Sequence, residues 1–310
     1  MPSGSAPLLR LGTRGSPLAL AQAHQVQARL AAALGVAPSA IELKIIKTTG
    51  DAIQNRPLTE IGGKGLFVKE IEQALIEGAI DFAVHSAKDV PGMLPEGLTL
   101  AACLPREDAR DAFISRKAAS FAALAPGAVV GTASPRRQAM VKRLRSDLAV
   151  VPLRGNVETR LKKLAAGEVD ATLLAMAGLN RLGLAAAATA PLEVDDFLPA
   201  VGQGVIALEV RADDARTRAH LAKINDAAAA TALAAERAFL AVLDGSCRTP
   251  IAGHARLAGG ALHFRGLIVK PDGSESFETE RGGRAADAAA LGEDAGRELR
   301  GRAGADFFVA

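Results

Sequence analysis

The sequence contains no tryptophan and no tyrosine, and only 10 of its 310 residues are phenylalanine. A ligand must therefore be recognised by charge and backbone groups rather than by stacking on indole or phenol rings, and the aromatic platforms of single-strand nucleic-acid binders are largely missing. Cysteine is scarce as well: Cys103 and Cys247 stand far apart, too few for a disulfide framework. The start lacks a basic stretch leading into a continuous apolar run. No stretch reaches about 18 uninterrupted apolar residues; residues 18–34, for example, are broken by Gln, His and Arg. These absences predict a cytoplasmic protein with both thiols free and no membrane attachment. Five scattered histidines and two cysteines give no metal-ligand spacing, so no metal is expected. A net charge of +3 is too small to steer the whole molecule onto a polyanion, so no nucleic-acid partner is expected either.

What is present is core-forming material. Apolar residues make up 49% of the chain and charged ones 23%, a globular composition, and the length suits about two domains of roughly 150 residues with room for a small third. After the apolar run 8–11, Ser16-Pro17 reads as an N-cap followed by proline at the first helical position, which predicts a helix to about Leu34, stopped by Gly35. A strand over 41–47 completes a βαβ unit whose first turn places Arg14 and Ser16 at a helix N-terminus, where anions are favoured. Helical spacing over 67–76, a strand over 79–84 and another over 98–104 follow. From near Asp111 the grammar repeats, with strands at 128–130, 150–153, 170–174 and 205–210, helices from Pro135 to Arg145, to about Ala166 and through Arg181, and a loop containing Pro191 and Pro199. An alanine-rich helix is predicted over 213–243. Alternating strands with turns at Gly259-Gly260 and Pro271-Asp272-Gly273 lead to a final helix over 284–302, a small α+β unit.

Two glycine motifs invite nucleotide readings that their details exclude. In Gly62-Gly63-Lys64-Gly65 the last glycine stands where a phosphate loop needs Ser or Thr, which leaves a mobile loop before a helix. Gly202-Gln203-Gly204 precedes a strand instead of following one. The basic residues are more informative. Between Arg136 and Lys163 nine basic residues stand against two acidic ones; Lys142, Arg143, Lys162 and Lys163 fit solvated helix faces. Arg136, Arg137 and Arg154 follow strand ends, where open α/β sheets bind ligands. With Arg14, Arg160 and Arg181 they form a set of guanidinium forks suited to carboxylates or phosphates, the alternative being surface charge. Lys88-Asp89 is either an exposed ion pair or a carboxylate kept ionised beside cations, placed to stabilise a developing positive charge or to guide a proton. His85 reads as a hydrogen-bonded scaffold residue and Cys103 as a small core hydrophobe. Cys247, in the turn Gly245-Ser246-Cys247-Arg248, is a candidate nucleophile or attachment point.

Taken in order, Gly12-Thr13-Arg14-Gly15-Ser16-Pro17-Leu18-Ala19-Leu20, Gly62-Gly63-Lys64-Gly65-Leu66-Phe67, His85-Ser86-Ala87-Lys88-Asp89-Val90-Pro91, Gly131-Thr132-Ala133-Ser134-Pro135-Arg136-Arg137-Gln138, Leu153-Arg154-Gly155-Asn156-Val157, Ala177-Gly178-Leu179-Asn180-Arg181-Leu182-Gly183 and Gly245-Ser246-Cys247 resemble the hydroxymethylbilane synthase (porphobilinogen deaminase) family across nearly the whole chain. Ala133 and Pro135 stand where Ser and Leu are common in that family, and the match after residue 251 is less specific.

The resemblance implies a transferase of tetrapyrrole and heme biosynthesis that condenses four porphobilinogen molecules head to tail with loss of ammonia, then releases linear hydroxymethylbilane by hydrolysis. A dipyrromethane cofactor would be attached to Cys247 through a thioether and act as primer. Asp89 would be the catalytic carboxylate, helping the amino group leave and stabilising the azafulvene-like cation. Lys88, Asp89, Thr132, Ser134, Arg136 and Arg137 would hold the cofactor. Arg14, Ser16, Gln22, Arg154, Arg160 and Arg181 would hold substrate or the growing chain, and Phe67 would cover the pocket. The implied fold is two periplasmic-binding-protein-like α/β domains forming a cleft plus a small C-terminal α+β domain, with boundaries at 1–105 with 200–222, 106–199 and 223–310, and a monomeric state. The competing expectation is a non-enzymatic two-domain anion-binding protein, which would have no use for Cys247.

Overall fold

The computed structural model describes residues 7–52, 68–243, 249–304 and 307. Cys247, Phe67 and the glycine motif at 62–65 lie outside these residues. Among the described residues, contacts divide the chain into two units: one takes those of Met1–Ile53, Gly65–Pro105 and Val205–Ala230, the other those of Arg106–Gly204 and Thr231–Ala310.

In the first unit Ser16 begins the first helix as expected. Its Oγ accepts from the Ala19 amide at 3.3 Å, Pro17 occupies the first turn of α1 (Pro17–Leu34), and Gly35 ends it in the left-handed region at φ 67°, which glycine adopts without steric penalty. Strand β1 (Leu9–Thr13) pairs in parallel with β2 (Ile41–Ile45) and β3 (Phe82–Ser86). The short α2 (Thr49–Ala52) and α3 (Lys69–Ile76) lie between β2 and β3 in the chain. Strand β10 (Ile206–Arg211) runs antiparallel between β3 and β4 (Leu98–Cys103), giving the order β2-β1-β3-β10-β4. The core is the apolar face shared by α1 and this sheet, including Leu9, Leu11, Val26, Phe82, Ile206 and Leu208. Cys103, at the end of β4, is buried as expected.

Strand β3 begins later than its apolar pattern predicts. The amides of Ala79 and Ile80 bond back to Ala74 O and close α3, while Asp81 is drawn to Arg10 by backbone and side chain. The strand therefore starts at Phe82 and takes in His85 and Ser86.

The second unit opens with β5 (Asp111–Ser115). Strand β6 (Val129–Gly131) is flanked in parallel by β7 (Ala149–Val151) and β8 (Ala171–Ala175), with α4 (Pro135–Leu144), α5 (Val157–Ala165) and α6 (Met176–Arg181) in the connections. Antiparallel β5 sits between β8 and the edge strand β9 (Ala190–Leu192). The order β7-β6-β8-β5-β9 repeats that of the first sheet. Strand β9 was not expected, because Pro191 removes a donor; an edge strand tolerates that loss.

The expected single helix over 213–243 is instead α7 (Ala215–Ala222) and α8 (Ala227–Val242). The break is made by polar side chains: Asn225 Oδ1 accepts from the Cys103 amide at 2.9 Å and Asp226 Oδ1 caps Ala229 at 2.7 Å. These bonds, one to a distant strand and one a local cap, outweigh the helix propensity of the flanking alanines. The C-terminal meander β11 (Ile251–Ala258), β12 (Ala261–Val269) and β13 (Ser276–Arg284) is covered by α9 (Ala288–Ala303). Its core contains Phe239, Leu262, Phe264 and Leu299. The expected class, two α/β sheets plus a small α+β domain, is what the chain forms. Among the described residues no helix is long and apolar enough to cross a membrane.

Candidate active site

In each five-stranded sheet the chain leaves the first strand of the βαβ set to one side and returns on the other, which opens a crevice beyond the carboxyl ends of the strands where α/β proteins bind ligands. In the first unit those ends belong to β1 and β3. Arg14 follows β1, the one-turn segment Ala87–Asp89 follows β3, and Arg14 Nη1 stands 4.0 Å from Asp89 Oδ2, both side chains partly open to solvent. Lys88 is half-buried beside them in sequence. Gln22 is buried on α1; its Nε2 donates to Ser86 Oγ at 2.8 Å, and Ser86 Oγ donates to Gln22 Oε1 at 3.1 Å. Gln22 thus ties the end of β3 to α1. Ser16 is the α1 cap, close behind Arg14 in the same turn.

Beneath this end of β3, His85 Nε2 donates to Glu209 Oε2 at 2.9 Å, and both residues are buried. The scaffold reading of His85 holds. Glu72 on α3 adds a second buried carboxyl. Burial, reinforced by the charge of Glu209 and opposed by His85, pushes Glu72 up to about 7.

In the second unit Thr132 is buried after β6, and its Oγ1 accepts from the Ser134 amide at 3.2 Å. Ser134 caps α4 by accepting from the Arg137 amide at 3.4 Å. Arg136 and Arg137, read from the sequence as anion-binding forks, lie in the first turn of that helix. Both are buried on the carboxylate of Asp111 at the start of β5. Arg136 Nη2 donates to Asp111 Oδ2 at 2.7 Å, while Arg137 donates to Oδ1 from Nη2 at 2.7 Å and from Nε at 3.1 Å. Gln203 Nε2 adds a fourth bond at 3.0 Å. Burial alone would raise the Asp111 carboxyl; the two guanidinium groups and these bonds hold it well below the usual carboxylate range. Asp111 and Gln203 were missed. The available signal was an aspartate opening an otherwise apolar strand, which needs a buried partner.

Of the other arginines, Arg154 sits after a strand end, while Arg160 lies on α5 and Arg181 ends α6. Arg154 follows β7, and its Nη1 is buried without a partner. Arg160 Nε donates to Gly155 O at 2.8 Å, which folds its side chain back over the same turn. Arg181 closes α6; its Nη2 donates to Gly204 O at 2.8 Å, and its Nε is buried without a partner. Arg136 Nε is a third such donor. Buried N–H groups of this kind normally have acceptors, and a ligand with several carboxylates would supply them. Among the described residues no cluster of three or more His, Cys, Asp or Glu is arranged to hold a metal ion.

The fold and these residues define a protein of two α/β sheets with arginines near the strand ends and a partly open carboxylate after β3. Comparison with known proteins makes the class specific. Residues 9–219 match the family model described as porphobilinogen deaminase, dipyromethane cofactor binding domain, and residues 230–301 match the model of the porphobilinogen deaminase C-terminal domain. The porphobilinogen deaminase of Nitrobacter hamburgensis is 65% identical over 302 residues, covering 97% of this chain and 96% of its own. That of Paracoccus denitrificans is 58% identical over 308 residues, covering 99% and 98%. Among solved structures, a periplasmic substrate-binding protein of an ABC transporter from Coxiella burnetii is similar at 15% identity and a TM-score of 0.44, over 74% of this chain and 96% of that one. An arginine-specific periplasmic binding protein from Salmonella typhimurium gives 14% and 0.41, over 71% and 92%. The chain belongs to the porphobilinogen deaminase family, whose members are transferases, also called hydroxymethylbilane synthases.

Proposed function

We propose that this protein is a hydroxymethylbilane synthase that condenses four porphobilinogen molecules on a covalent dipyrromethane primer, and that Asp89 is its catalytic carboxylate. The observation that carries this reading is the partly open Asp89 carboxylate at the end of β3 with Arg14 Nη1 4.0 Å away. A carboxylate there stabilises the positive charge left on the substrate pyrrole as ammonia departs, and accepts hydrogen bonds from pyrrole N–H groups. Arg14 stands beside it as a counter-charge and helps align it.

The buried arginine donors fit a group carrying several carboxylates. Cys247 Sγ would bear the dipyrromethane, with Lys88, Asp89, Thr132 and Ser134 holding it and Arg136 and Arg137 contributing donors left over from Asp111. When bound, the group supplies the fixed end on which the chain grows. Arg14, Ser16, Arg154, Arg160 and Arg181 would take acetate and propionate groups of substrate, Gln22 would hold the end of β3, and Phe67 would exclude water. The enzyme in this reading is cytoplasmic and monomeric, divided at 1–105 with 200–222, 106–199 and 223–310. It has no nucleic-acid partner, a view supported by the charge of only +3 and the lack of Trp and Tyr.

The test is Asp89→Ala, assayed for ammonia release and hydroxymethylbilane formation alongside circular dichroism. Turnover should fall by about 10²–10³-fold, the loss found when one preorganised electrostatic group is removed, with the fold retained. Near-normal turnover would take Asp89 out of the mechanism.

A further inference from the structure

Arg181 is a half-buried cation with a carboxylate for a neighbour, yet the two do not pair. Glu107 lies close: its amide and Arg181 Nη2 share one acceptor, Gly204 O, at 3.1 and 2.8 Å. Gly204 is pressed so tightly against the segment between β4 and β5 that a Cβ there would stand 2.3 Å from Glu107 O. Each group influences the other electrostatically, Glu107 favouring the charged form of Arg181 against its burial, and Arg181 helping to lower Glu107. The expected outcome for such neighbours is a direct ion pair.

The carboxylate is instead turned elsewhere. Glu107 Oε1 accepts from Asn180 Nδ2 at 3.0 Å and from the Asp108 amide at 2.9 Å. Asn180 is the residue immediately before Arg181 on α6, so the same helical turn that presents the guanidinium also fastens its rival acceptor. Arg181 Nε is left buried with no partner, an arrangement that costs free energy unless an acceptor arrives from outside.

We infer that Asn180 is a positioning residue for Arg181: by fastening the Glu107 carboxylate it keeps an internal anion off the guanidinium and reserves Arg181 for a carboxylate of the substrate. This rests on the reading of Arg181 as a substrate-binding residue. Removing the Asn180 amide frees Glu107 to rotate onto Arg181, and substrate must then displace an intramolecular carboxylate that is always present. The cost falls on binding and not on the bond-making steps at Asp89, so KM changes while kcat does not.

The experiment is steady-state kinetics with porphobilinogen on the cofactor-loaded enzyme, comparing wild type with Asn180→Ala, Glu107→Gln and Asn180→Ala/Glu107→Gln. Asn180→Ala should raise KM about tenfold, the effect of one charge-assisted hydrogen bond, with kcat within about twofold. Glu107→Gln should not raise KM, and the double variant should return KM to the wild-type value, a rescue that a merely structural role for Asn180 would not produce. An unchanged KM in Asn180→Ala, or a double variant as impaired as Asn180→Ala, overturns the inference. If Asn180→Ala does not fold, Glu107→Gln decides: a KM raised above wild type makes Glu107 a supporting residue and overturns it, and a KM at or below wild type supports it. Arg181→Leu separates the two readings. If it leaves KM unchanged, the substrate role of Arg181 itself fails; if it raises KM while Asn180→Ala does not, only the present inference fails.

Discussion

Asp111→Asn isolates the buried arginine cluster, because it changes one charge and almost no volume. In the wild type the fully buried carboxylate accepts from Arg136, Arg137 twice and Gln203. The asparagine retains one acceptor oxygen and turns an NH2 group toward guanidinium donors. Two buried cations then lose their counter-charge, a change that typically costs about 3–5 kcal/mol, against a total stability of about 5–15 kcal/mol. At about 2–4 °C per kcal/mol for a unit of this size, Tm should fall by about 6–20 °C. The folded carboxyl is depressed below its ordinary value of 3.8, so its contribution is complete above that value and is lost only as pH falls through the lower folded one. Differential scanning calorimetry at pH 5 and 7 should therefore show the same gap between variant and wild type at both values. A loss below about 1 kcal/mol, the worth of an exposed pair, would refute the reasoning, and a gap that closes between pH 7 and 5 would refute the assignment of charge.

Two further outcomes follow from buried positions. Glu72 is pushed up to about 7 in the folded chain from an ordinary 4.5; its contribution is complete below 4.5 and is lost as pH rises through about 7. Tm of the wild type should thus decline from pH 5 to 8 and that of Glu72→Gln should not, whereas parallel curves would contradict the assignment. Gly292→Ala places a Cβ 2.0 Å from Ala235 O where α9 crosses α8. Because backbone and not a flexible side chain stands in the way, the variant should lose about 1–3 kcal/mol in urea unfolding, and an unchanged midpoint would show that the helices can part freely.

Local chemistry that depends on neighbours in sequence was legible. Ser16-Pro17, Gly35, Ser134-Pro135 and the glycine turns of the C-terminal meander fix their elements through caps and φ values. The placing of Arg14 and Lys88-Asp89 at strand ends could likewise be read, because a strand end is a local event. The contact between Arg14 and Asp89 could not, since it depends on β1 and β3 being neighbours in a sheet. The same limit hid Asp111, the carboxylate on which Arg136 and Arg137 are buried. Long-range side-chain caps explain the remaining error. Asn225 reaches Cys103 and splits what alanine content alone extends as one helix.

Everything in the proposed mechanism depends on a primer fixed to one cysteine. The most direct test is intact mass spectrometry of freshly purified protein, followed by peptide mapping. A mass increment equal to a dipyrromethane, carried by the peptide containing Cys247 and absent from Cys247→Ser, is the predicted result. An unmodified chain after incubation with porphobilinogen, or the increment on a peptide containing Cys103, would contradict it.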